Sequence, residues 1–261
     1  MTTPQRTSPA AGRLAGRVAI VTGGTAGLGA AIVDRFLAEG ACVVFTARGT
    51  EAGRAREVQL QASGLPARYV AHDVASERDW SAVIDTALAA HGRLDVLVNN
   101  AGTASTGSIE LCPPDLLRGM AQVNLHGCFL GVKLGAEAIR RGGRGGAIVN
   151  IASIAAGRGF ASSSAYCATK AAVVALSRVA ALELAPDRIR VNTVIPGFYD
   201  TPLAKATALP TPEITNMILQ IVPMRRVGHP RELAALVLQL ASDEGRSITG
   251  AAIAADAGVL A

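Results

Sequence analysis

The 261-residue chain is poor in aromatic side chains and in cysteine, and neither residue type forms a recognisable site. Phe, Trp and Tyr make up 3% of the residues, so Ala, Val, Leu and Ile must fill the core. The four cysteines form no Cys-x-x-Cys pair, and the His, Cys and acidic residues lack the spacing of metal ligands. We therefore expect no metal site, and reduced thiols in a cytoplasmic protein.

Long apolar runs are also missing from the sequence. No run reaches the ~18 apolar residues of a membrane-spanning helix, and residues 1–13 lack the apolar core of a secretory signal. We interpret residues 1–13 as a disordered leader. Residues 14–261 are predicted to form one domain with no membrane partner, because α/β domains of this size often enclose a single large core.

Charged residues are few, at 17%, and the formal net charge is +5, from 22 Arg and 3 Lys against 20 acids. The densest basic stretch, residues 140–146, combines Arg with Gly. A nucleic-acid patch is one interpretation, but no aromatic residues interleave to stack on bases. A solvated loop between a helix and a strand is favoured, so we expect no nucleic-acid partner.

Short apolar or β-branched segments alternate with longer helical stretches from Arg17 onward. Continuous apolar strands separated by helices indicate a parallel sheet covered by helices on both faces. The sequence thus predicts an α/β fold, a single Rossmann-like doubly wound sheet. Its seven predicted strands are Val18–Val21, Ala41–Thr46, Arg68–Ala71, Leu94–Val98, Ala147–Ile151, Ile189–Val194 and Ala251–Ala255.

The segment 198–228 departs from this alternation and contains four prolines. It follows the sixth strand, so it projects from the carboxyl edge of the sheet, where ligands of such folds bind. We interpret it as a substrate lid; an ordinary surface excursion is the alternative. Its apolar side chains, together with Ile154, Phe160 and Ala161, predict a largely apolar substrate pocket.

A glycine-rich segment, Thr22–Gly29, follows the first strand and opens into a helix. Gly23 permits a tight turn, Gly27 lets the backbone approach a pyrophosphate, and Gly29 lets the helix pack closely on the strand. A tight turn alone would need the same residue type. The position between a strand and a helix nevertheless favours a dinucleotide site, with the phosphates at the helix N-terminus.

The TGxxxGxG spacing resembles the short-chain dehydrogenase/reductase family, and the resemblance covers residues 16–258. Asn99–Gly102 is similar to the family's NNAG element beside the cofactor. Asp73 and Val74 resemble its adenine contacts, and the loop after the sixth strand resembles its nicotinamide contacts. These likenesses imply cofactor contacts from Gly23, Thr25, Gly27, Leu28, Gly29, Asp73, Val74, Asn100, Ala101, Gly102, Tyr166, Lys170, Pro196, Gly197 and Thr201.

The end of the second strand bears on the choice between NAD and NADP. NAD-selective proteins usually place a carboxylate here, which binds the ribose 2′-hydroxyl and repels a 2′-phosphate. This chain has Ala47, followed by Arg48, whose guanidinium can hold a 2′-phosphate in bidentate fashion. NADP(H) is therefore favoured over NAD(H), unless Arg48 merely ends the strand. Many NADP-binding family members carry a second basic residue where this chain has Ala26, so we expect partial selectivity.

Tyr166 and Lys170 lie four residues apart on one predicted helix, and Ser153 follows the preceding strand. Hydride transfer at a nicotinamide must be matched by proton transfer at the substrate oxygen, for which a phenol of pKa ~10 is a poor base. A nearby ammonium lowers that pKa, and a serine hydroxyl can donate to the carbonyl oxygen. The three residues resemble the family's catalytic triad. Asn124 resembles its fourth member, which holds a relay water; a local hydrogen-bonding role is the alternative.

The resemblance implies an oxidoreductase that interconverts a small-molecule ketone and a secondary alcohol, with Tyr166 as acid/base. Reduction of a hydrophobic cyclic or bulky ketone is the expected reaction. Family members are commonly homotetramers, joined here through Pro114–Arg141, Tyr166–Leu184 and the C-terminal strand. Two alternatives stay open: an NAD-dependent secondary-alcohol dehydrogenase, and a cofactor-binding regulator, although such regulators usually lack the Tyr or the Lys.

Overall fold

A computed structural model describes residues 12–261. Seven parallel strands form one sheet in the order β3-β2-β1-β4-β5-β6-β7. All seven predicted strands are present, and each boundary lies within two residues of its prediction. The strands are β1 (Val18–Thr22), β2 (Cys42–Ala47), β3 (Ala67–Ala71), β4 (Val96–Asn99), β5 (Gly146–Ile151), β6 (Ile189–Pro196) and β7 (Ala252–Ala255).

Helices cover both faces of the sheet, which confirms the doubly wound α/β fold. The described residues contain nine α-helices, a π-helical turn at Gln122–His126 and a 3-10 turn at Ile154–Ala156, among other short turns. The α-helices are α1 (Gly27–Ala38), α2 (Thr50–Ala62), α3 (Glu77–His91), α4 (Pro114–Ala121), α5 (Gly127–Arg141), α6 (Ser164–Leu184), α7 (Pro202–Ala206), α8 (Pro212–Ile221) and α9 (Pro230–Ala241).

Side chains of successive strand residues enter two separate cores, because they point to opposite faces of the sheet. On β1, Val18 and Ile20 pack into a core shared with α3, α5 and α6. Ala19 and Val21 pack into the opposite core, shared with α1 and α9. Residues buried on both faces explain why the strands read as continuous apolar runs.

The chain order reverses between β1 and β4, since β2 and β3 lie on one side of β1 and β4 to β7 on the other. Such a reversal opens a crevice at the carboxyl ends of the strands, where ligands bind in open α/β sheets. The glycine-rich segment follows β1, the segment Asn99–Gly102 ends β4, and Ser153 follows β5. The topology therefore directs these three sequence features to one edge.

The predicted leader, residues 1–13, lies outside the described residues except for Gly12 and Arg13. The backbone N–H of Arg13 donates to Glu39 Oε2 at 3.0 Å, and the next residue, Leu14, is buried in the core. A Cβ on Gly12 would lie 2.3 Å from the carbonyl oxygen of Glu39, so the chain runs close to the end of α1 there. Both residues therefore belong to the folded part, which differs from the predicted boundary at residue 14.

One described helix, Ser164–Asp187, is long and apolar enough to cross a membrane by length and composition. It consists of α6 and the turn that follows it. Lys170, Ser177 and Val173 are buried on the side that faces the sheet. A core helix of a folded α/β domain meets the same test, so the length and composition carry no membrane assignment.

The part of the chain that the structure describes has no cluster of three His, Cys or acidic residues that could hold a metal ion. Its four cysteines are unpaired. The basic stretch at 140–146 ends α5 and leads into β5, with Arg140 paired to Asp187 and Arg141 to Glu137. The Arg-Gly segment is thus a helix-to-strand loop, the favoured interpretation of its sequence.

Candidate active site

The glycine-rich segment forms a tight connection between β1 and α1. Gly23 has φ +67° and Gly27 φ +55°, values that side chains other than glycine rarely adopt. A Cβ on Gly29 would lie 2.1 Å from the carbonyl oxygen of Gly23, so only glycine allows the helix to approach the strand this closely. Helix α1 has no side-chain cap and no acid in its first turn. Its N-terminus can therefore accept an anion.

Asn100 ties the end of β4 to the end of β1. Its Nδ2 donates to the carbonyl oxygen of Thr22 at 2.8 Å and to that of Gly23 at 3.3 Å. The Thr22 hydroxyl in turn accepts from the backbone N–H groups of Asn100 and Ala101, both at 3.0 Å. These bonds fix the glycine turn against the loop that continues through Gly102.

A cavity of about 660 Å³ opens at the carboxyl edge of the sheet. It contains most of the predicted site residues, namely Gly23, Gly27, Leu28, Gly29, Asn100, Ala101, Gly102, Ser153, Tyr166, Lys170, Pro196, Gly197 and Thr201. The predicted residues that do not line it are Thr25, Arg48, Asp73, Val74 and Asn124. The structure therefore brings the glycine turn and the Ser-Tyr-Lys group together in one space.

Arg48 and Asp73 follow the carboxyl ends of β2 and β3, at the same edge of the sheet as the cavity, and neither of them lines it. The backbone N–H of Gly24 donates to the carbonyl oxygen of Thr46 at 2.9 Å, so the end of β2 lies beside the glycine turn. Arg48 is exposed and makes no hydrogen bond or ion pair with the other described residues. Its guanidinium is thus available to a ligand that extends from the turn across β2.

Ser153 and Lys170 are both buried at one wall of the cavity. Ser153 follows β5, and its Oγ accepts the backbone N–H of Ala155 at 3.2 Å. Lys170 lies on α6 and donates from Nζ to the carbonyl oxygen of Ile151 at 3.0 Å. The same Nζ lies 5.9 Å from the centroid of the Tyr166 ring, so the three side chains of the predicted triad share this wall.

Burial dominates the proton affinities of Tyr166 and Lys170. It raises the pKa of Tyr166, although the Ser153 hydroxyl opposes that shift. It lowers the pKa of Lys170 to about 8, despite an opposing contribution from Cys128. The sequence predicts a Tyr166 pKa lowered by Lys170; in this structure the loss of hydration outweighs any such effect. Tyr166 is therefore a protonated phenol at neutral pH, which is the form of an acid.

Asn124 lies under the cavity and joins two parts of the site. Its Oδ1 accepts the backbone N–H of Thr103 at 2.8 Å, and its Nδ2 donates to the carbonyl oxygen of Thr103 at 2.9 Å. Nδ2 also donates to Thr169 Oγ1 at 3.1 Å, and that hydroxyl donates to the carbonyl oxygen of Tyr166 at 2.9 Å. Asn124 thus fixes the loop after β4 to the first turn of α6.

The segment 198–228, which the sequence predicts to be a substrate lid, contains α7 and α8, and two backbone hydrogen bonds join its ends. Gly228 N–H donates to the carbonyl oxygen of Phe198 at 2.8 Å, and Asp200 N–H donates to that of Gly228 at 3.0 Å. Thr201 Oγ1 accepts the backbone N–H of Ala204 and caps α7. A Cβ on Gly27 would lie 3.2 Å from Thr201 Cβ, so this segment begins directly beside the glycine turn.

Comparison with known proteins identifies the family. A family model described as enoyl-(acyl carrier protein) reductase matches residues 23–260. An NADP-dependent (R)-specific alcohol dehydrogenase of Lentilactobacillus kefiri is 39% identical over 95% of this chain and 98% of that protein. A 3-alpha-(or 20-beta)-hydroxysteroid dehydrogenase of Mycobacterium bovis is 41% identical over 96% and 92%. A crystal structure of a short-chain type dehydrogenase/reductase from Mycobacterium marinum superimposes with a TM-score of 0.89 at 31% identity, over 94% and 96%.

The chain belongs to the short-chain dehydrogenase/reductase family. It is therefore an oxidoreductase. The family assignment agrees with the resemblance that the TGxxxGxG and Ser-Tyr-Lys spacings carry. The sheet order and the shared cavity described above give the same assignment a physical basis in this chain.

The residues of this dehydrogenase/reductase fit a nicotinamide dinucleotide. The glycine turn excludes side chains where a pyrophosphate would approach, and the uncapped N-terminus of α1 complements its charge. Among residues 12–261, no acid lines the cavity, and Lys170 is the one charged residue that does. The cavity extends from this turn to Tyr166, so the pyrophosphate and the nicotinamide of a bound dinucleotide would lie in one space with the Ser-Tyr-Lys group.

Several supporting residues have no signal in the sequence. Thr103 and Thr169 bind the Asn124 side chain from two different segments. Their sequence separation from Asn124 does not predict these contacts. Tyr199 is buried and donates from its hydroxyl to the carbonyl oxygen of Ala255 at 3.0 Å. Thr22, the first residue of the glycine motif, is the exception, since that motif marks its position.

Proposed function

We propose that this protein is an NADP(H)-dependent oxidoreductase that interconverts a hydrophobic ketone and its secondary alcohol. The observation that carries the proposal is the single cavity shared by Ser153, Tyr166, Lys170 and the glycine turn. An acid/base, a hydrogen-bond donor and a dinucleotide site in one apolar space suit hydride transfer to a carbonyl. The alcohol and hydroxysteroid dehydrogenases among the relatives support the same reaction class.

When bound, the nicotinamide supplies the hydride for reduction and accepts it in oxidation. The Tyr166 hydroxyl donates its proton to the substrate oxygen in reduction and takes the proton back in oxidation. Ser153 Oγ donates a hydrogen bond to the same oxygen as negative charge develops there. Lys170 stabilises the tyrosinate that remains, and Asn124 completes the route by which that proton is replaced. With NADP(H) as the cofactor, the usual reducing state of the cellular NADP pool favours reduction as the cellular direction.

Arg48 supports NADP(H) as the preferred cofactor. It follows β2 beside the glycine turn, is exposed, and has no acidic partner among the described residues. Its neighbour Ala47 offers no carboxylate to a ribose 2′-hydroxyl. One relative is named as NADP-dependent, which supports the same preference. An NAD-dependent secondary-alcohol dehydrogenase is the second candidate, because Ala26 supplies no second cation.

Replacement of Arg48 by alanine is expected to raise the KM for NADPH by about 10- to 100-fold, the range for losing a hydrogen bond to a charged group. The KM for NADH should change little, because NADH lacks the 2′-phosphate. Initial rates with both cofactors measure the effect. Arg68→Ala, at an exposed arginine of β3, is the control and should leave both values unchanged. Equal losses for NADPH and NADH would show that Arg48 only supports the strand end.

The lining of the cavity supports an uncharged, apolar substrate. Apart from the residues already placed, the walls consist mainly of alanine and of Ile154, Phe160, Phe198, Leu203 and Ile218. A cyclic or bulky ketone would bury its surface here without leaving charges unpaired. Among the described lining residues, a phosphorylated substrate would find Lys170 as the one cation, and that side chain already donates to the carbonyl oxygen of Ile151.

The reaction is tested by following the absorbance of the reduced nicotinamide with purified protein and a panel of cyclic and open-chain ketones. We expect NADPH to be consumed with one or more hydrophobic ketones. Binding of NADP⁺ without turnover of any ketone, by either cofactor, would instead favour a cofactor-binding regulator. The presence of both Tyr166 and Lys170 argues against that alternative.

We also propose a homotetramer in solution. Large apolar side chains are exposed on α4, α5 and α6, namely Leu117, Phe129, Val179 and Leu182. Several exposed large apolar side chains on helices that pack against one another are consistent with an interface. The mass of the native protein, measured by light scattering at micromolar concentration, should be about four times 26.6 kDa. A monomer mass would contradict the proposal.

A further inference from the structure

Aromatic residues are concentrated around the cavity, although the chain has only nine of them. Phe36, Phe45 and Trp80 are fully buried in the two cores, and Tyr69 lies against Phe45. Four others line the cavity, namely Tyr166, Tyr199, Phe160 and Phe198. Tyr166 has a chemical role and Tyr199 a structural one, which leaves the two phenylalanines without an assigned role.

Phe160 and Phe198 form an edge-to-face pair in the wall of the cavity. Their ring centroids are 6.3 Å apart and their planes meet at 87°. Both residues are only partly buried, so the pair keeps surface that faces the cavity. Phe160 comes from the loop between β5 and α6, and Phe198 from the start of the lid segment.

The two rings are held in place from outside the cavity. The Arg158 guanidinium lies 5.8 Å from the centroid of the Phe160 ring, a cation–π distance. The Phe198 backbone is fixed by the hydrogen bond from Gly228 N–H, and the neighbouring Tyr199 is anchored to Ala255. A Cβ on Gly228 would lie 2.7 Å from the Tyr199 ring, so this base of the lid is closely packed. The pair is therefore a preformed surface.

We propose that Phe160 and Phe198 determine specificity by binding a flat, unsaturated or aromatic ring carried by the ketone. The proposal rests on the proposed function and deepens it. An edge-to-face pair offers a ring face and ring edges to a third ring, and aromatic contacts add to binding beyond buried area. A saturated ring of equal size buries similar area and gains no such contact. The substrate class is thus ketones with a planar ring near the carbonyl.

The test compares methyl ketones that carry either a phenyl or a cyclohexyl ring, in the wild type and in Phe160→Leu, Phe198→Leu and the double variant. The quantity measured is the phenyl-to-cyclohexyl ratio of kcat/KM. Dividing the wild-type ratio by the variant ratio cancels the different intrinsic reactivity of the two ketones. We expect this quotient to be about 3 to 10 for the double variant, the range that aromatic pairs contribute. Val58→Ala, at an exposed apolar residue of α2, is the control with an expected quotient of one.

A second readout separates binding from turnover. Benzamide and cyclohexanecarboxamide are not reduced, and calorimetric titration into the protein with NADP⁺ gives their affinity ratio. The double variant should lower that ratio by the same factor, with an unchanged melting temperature showing that the fold is retained. If both ketones react and neither ratio changes, the inference is wrong and the proposed function remains. If no ketone reacts but the amide ratio falls, the proposed function fails while the ring-binding surface is upheld.

Discussion

Replacement of Tyr166 by phenylalanine is expected to lower kcat/KM for ketone reduction by about a thousandfold. The variant keeps the ring that packs in the cavity wall and loses only the hydroxyl that donates the proton. Positioned acids contribute about 10²- to 10⁴-fold, so the loss lies in the middle of that range. The affinity for NADP⁺, measured by calorimetry, should change far less, because the glycine turn and the N-terminus of α1 are untouched. The rate is followed through the absorbance of NADPH.

Tyr199→Phe provides the matched control for this loss. Tyr199 lines the same cavity, but its hydroxyl donates to the carbonyl oxygen of Ala255 and is thereby directed into the fold. Burial raises the pKa of both tyrosines, that of Tyr199 to about 12, so the direction of the hydroxyl rather than its pKa distinguishes the two. We expect this variant to keep most of the activity and to lose some stability. Comparable activity in both variants would show that Tyr166 is not the acid.

The architecture could be predicted from the sequence because both of its main signals are local. Continuous apolar strands and the helices between them follow from the residue pattern, and parallel pairing follows from the connections. The prolines of segment 198–228 show in the sequence that it departs from the strand-helix alternation. Its helix α7 (Pro202–Ala206) could not be predicted, because five residues are too few to show a helical repeat of apolar side chains. The start of α1 at Gly27, inside the glycine-rich segment, could not be predicted either, because glycine-rich turns and helix starts look alike in sequence.

The sequence predicts which residues form the site better than it predicts their pKa values and hydrogen bonds. The spacings of Ser153, Tyr166 and Lys170 indicate that they share one edge of the sheet, and the structure places them there. The direction of the Tyr166 pKa shift could not be predicted from these spacings. It depends on how much hydration the phenol loses on burial and on which group Lys170 Nζ donates to. The π-helical turn that carries Asn124 is likewise set by packing against Thr103 and Thr169. Neither the pKa shift nor the π-helical turn can be predicted from residue spacing.

Protonation of His72, next to the predicted adenine contacts, is expected to lower the stability of the protein in acid. It directly precedes Asp73 and Val74, and its side chain is 3% exposed. Its Nδ1 shares a hydrogen bond of 3.0 Å with Thr46 Oγ1, and its ring meets Trp80 edge-on at 4.5 Å. Burial lowers the pKa of His72 to about 4, although the carboxylates of Asp79 and Asp73 oppose the shift.

The sign of the resulting pH dependence follows from proton linkage. Between pH 6.5, the ordinary pKa, and pH 4 the unfolded chain binds a proton at His72 that the folded chain does not. The contribution of His72 to the free energy of unfolding is therefore fully present above pH 6.5 and is lost as the pH is lowered through this window. At pH 4.5 the loss from this one group amounts to about 2.5 kcal/mol.

The measurement is urea unfolding of the wild type and His72→Asn at pH 7.5 and pH 4.5, at one fixed protein concentration. At pH 7.5 the variant is expected to be less stable, because Thr46 and Trp80 lose their partner. At pH 4.5 that deficit should shrink by about 2.5 kcal/mol or reverse, since asparagine carries no proton. Carboxylates titrate in both proteins, so the difference between them isolates His72. The exposed His126→Asn should show the same pH dependence as the wild type. A constant deficit in His72→Asn would show that His72 titrates normally and that the edge beside Asp73 is more hydrated than its packing indicates.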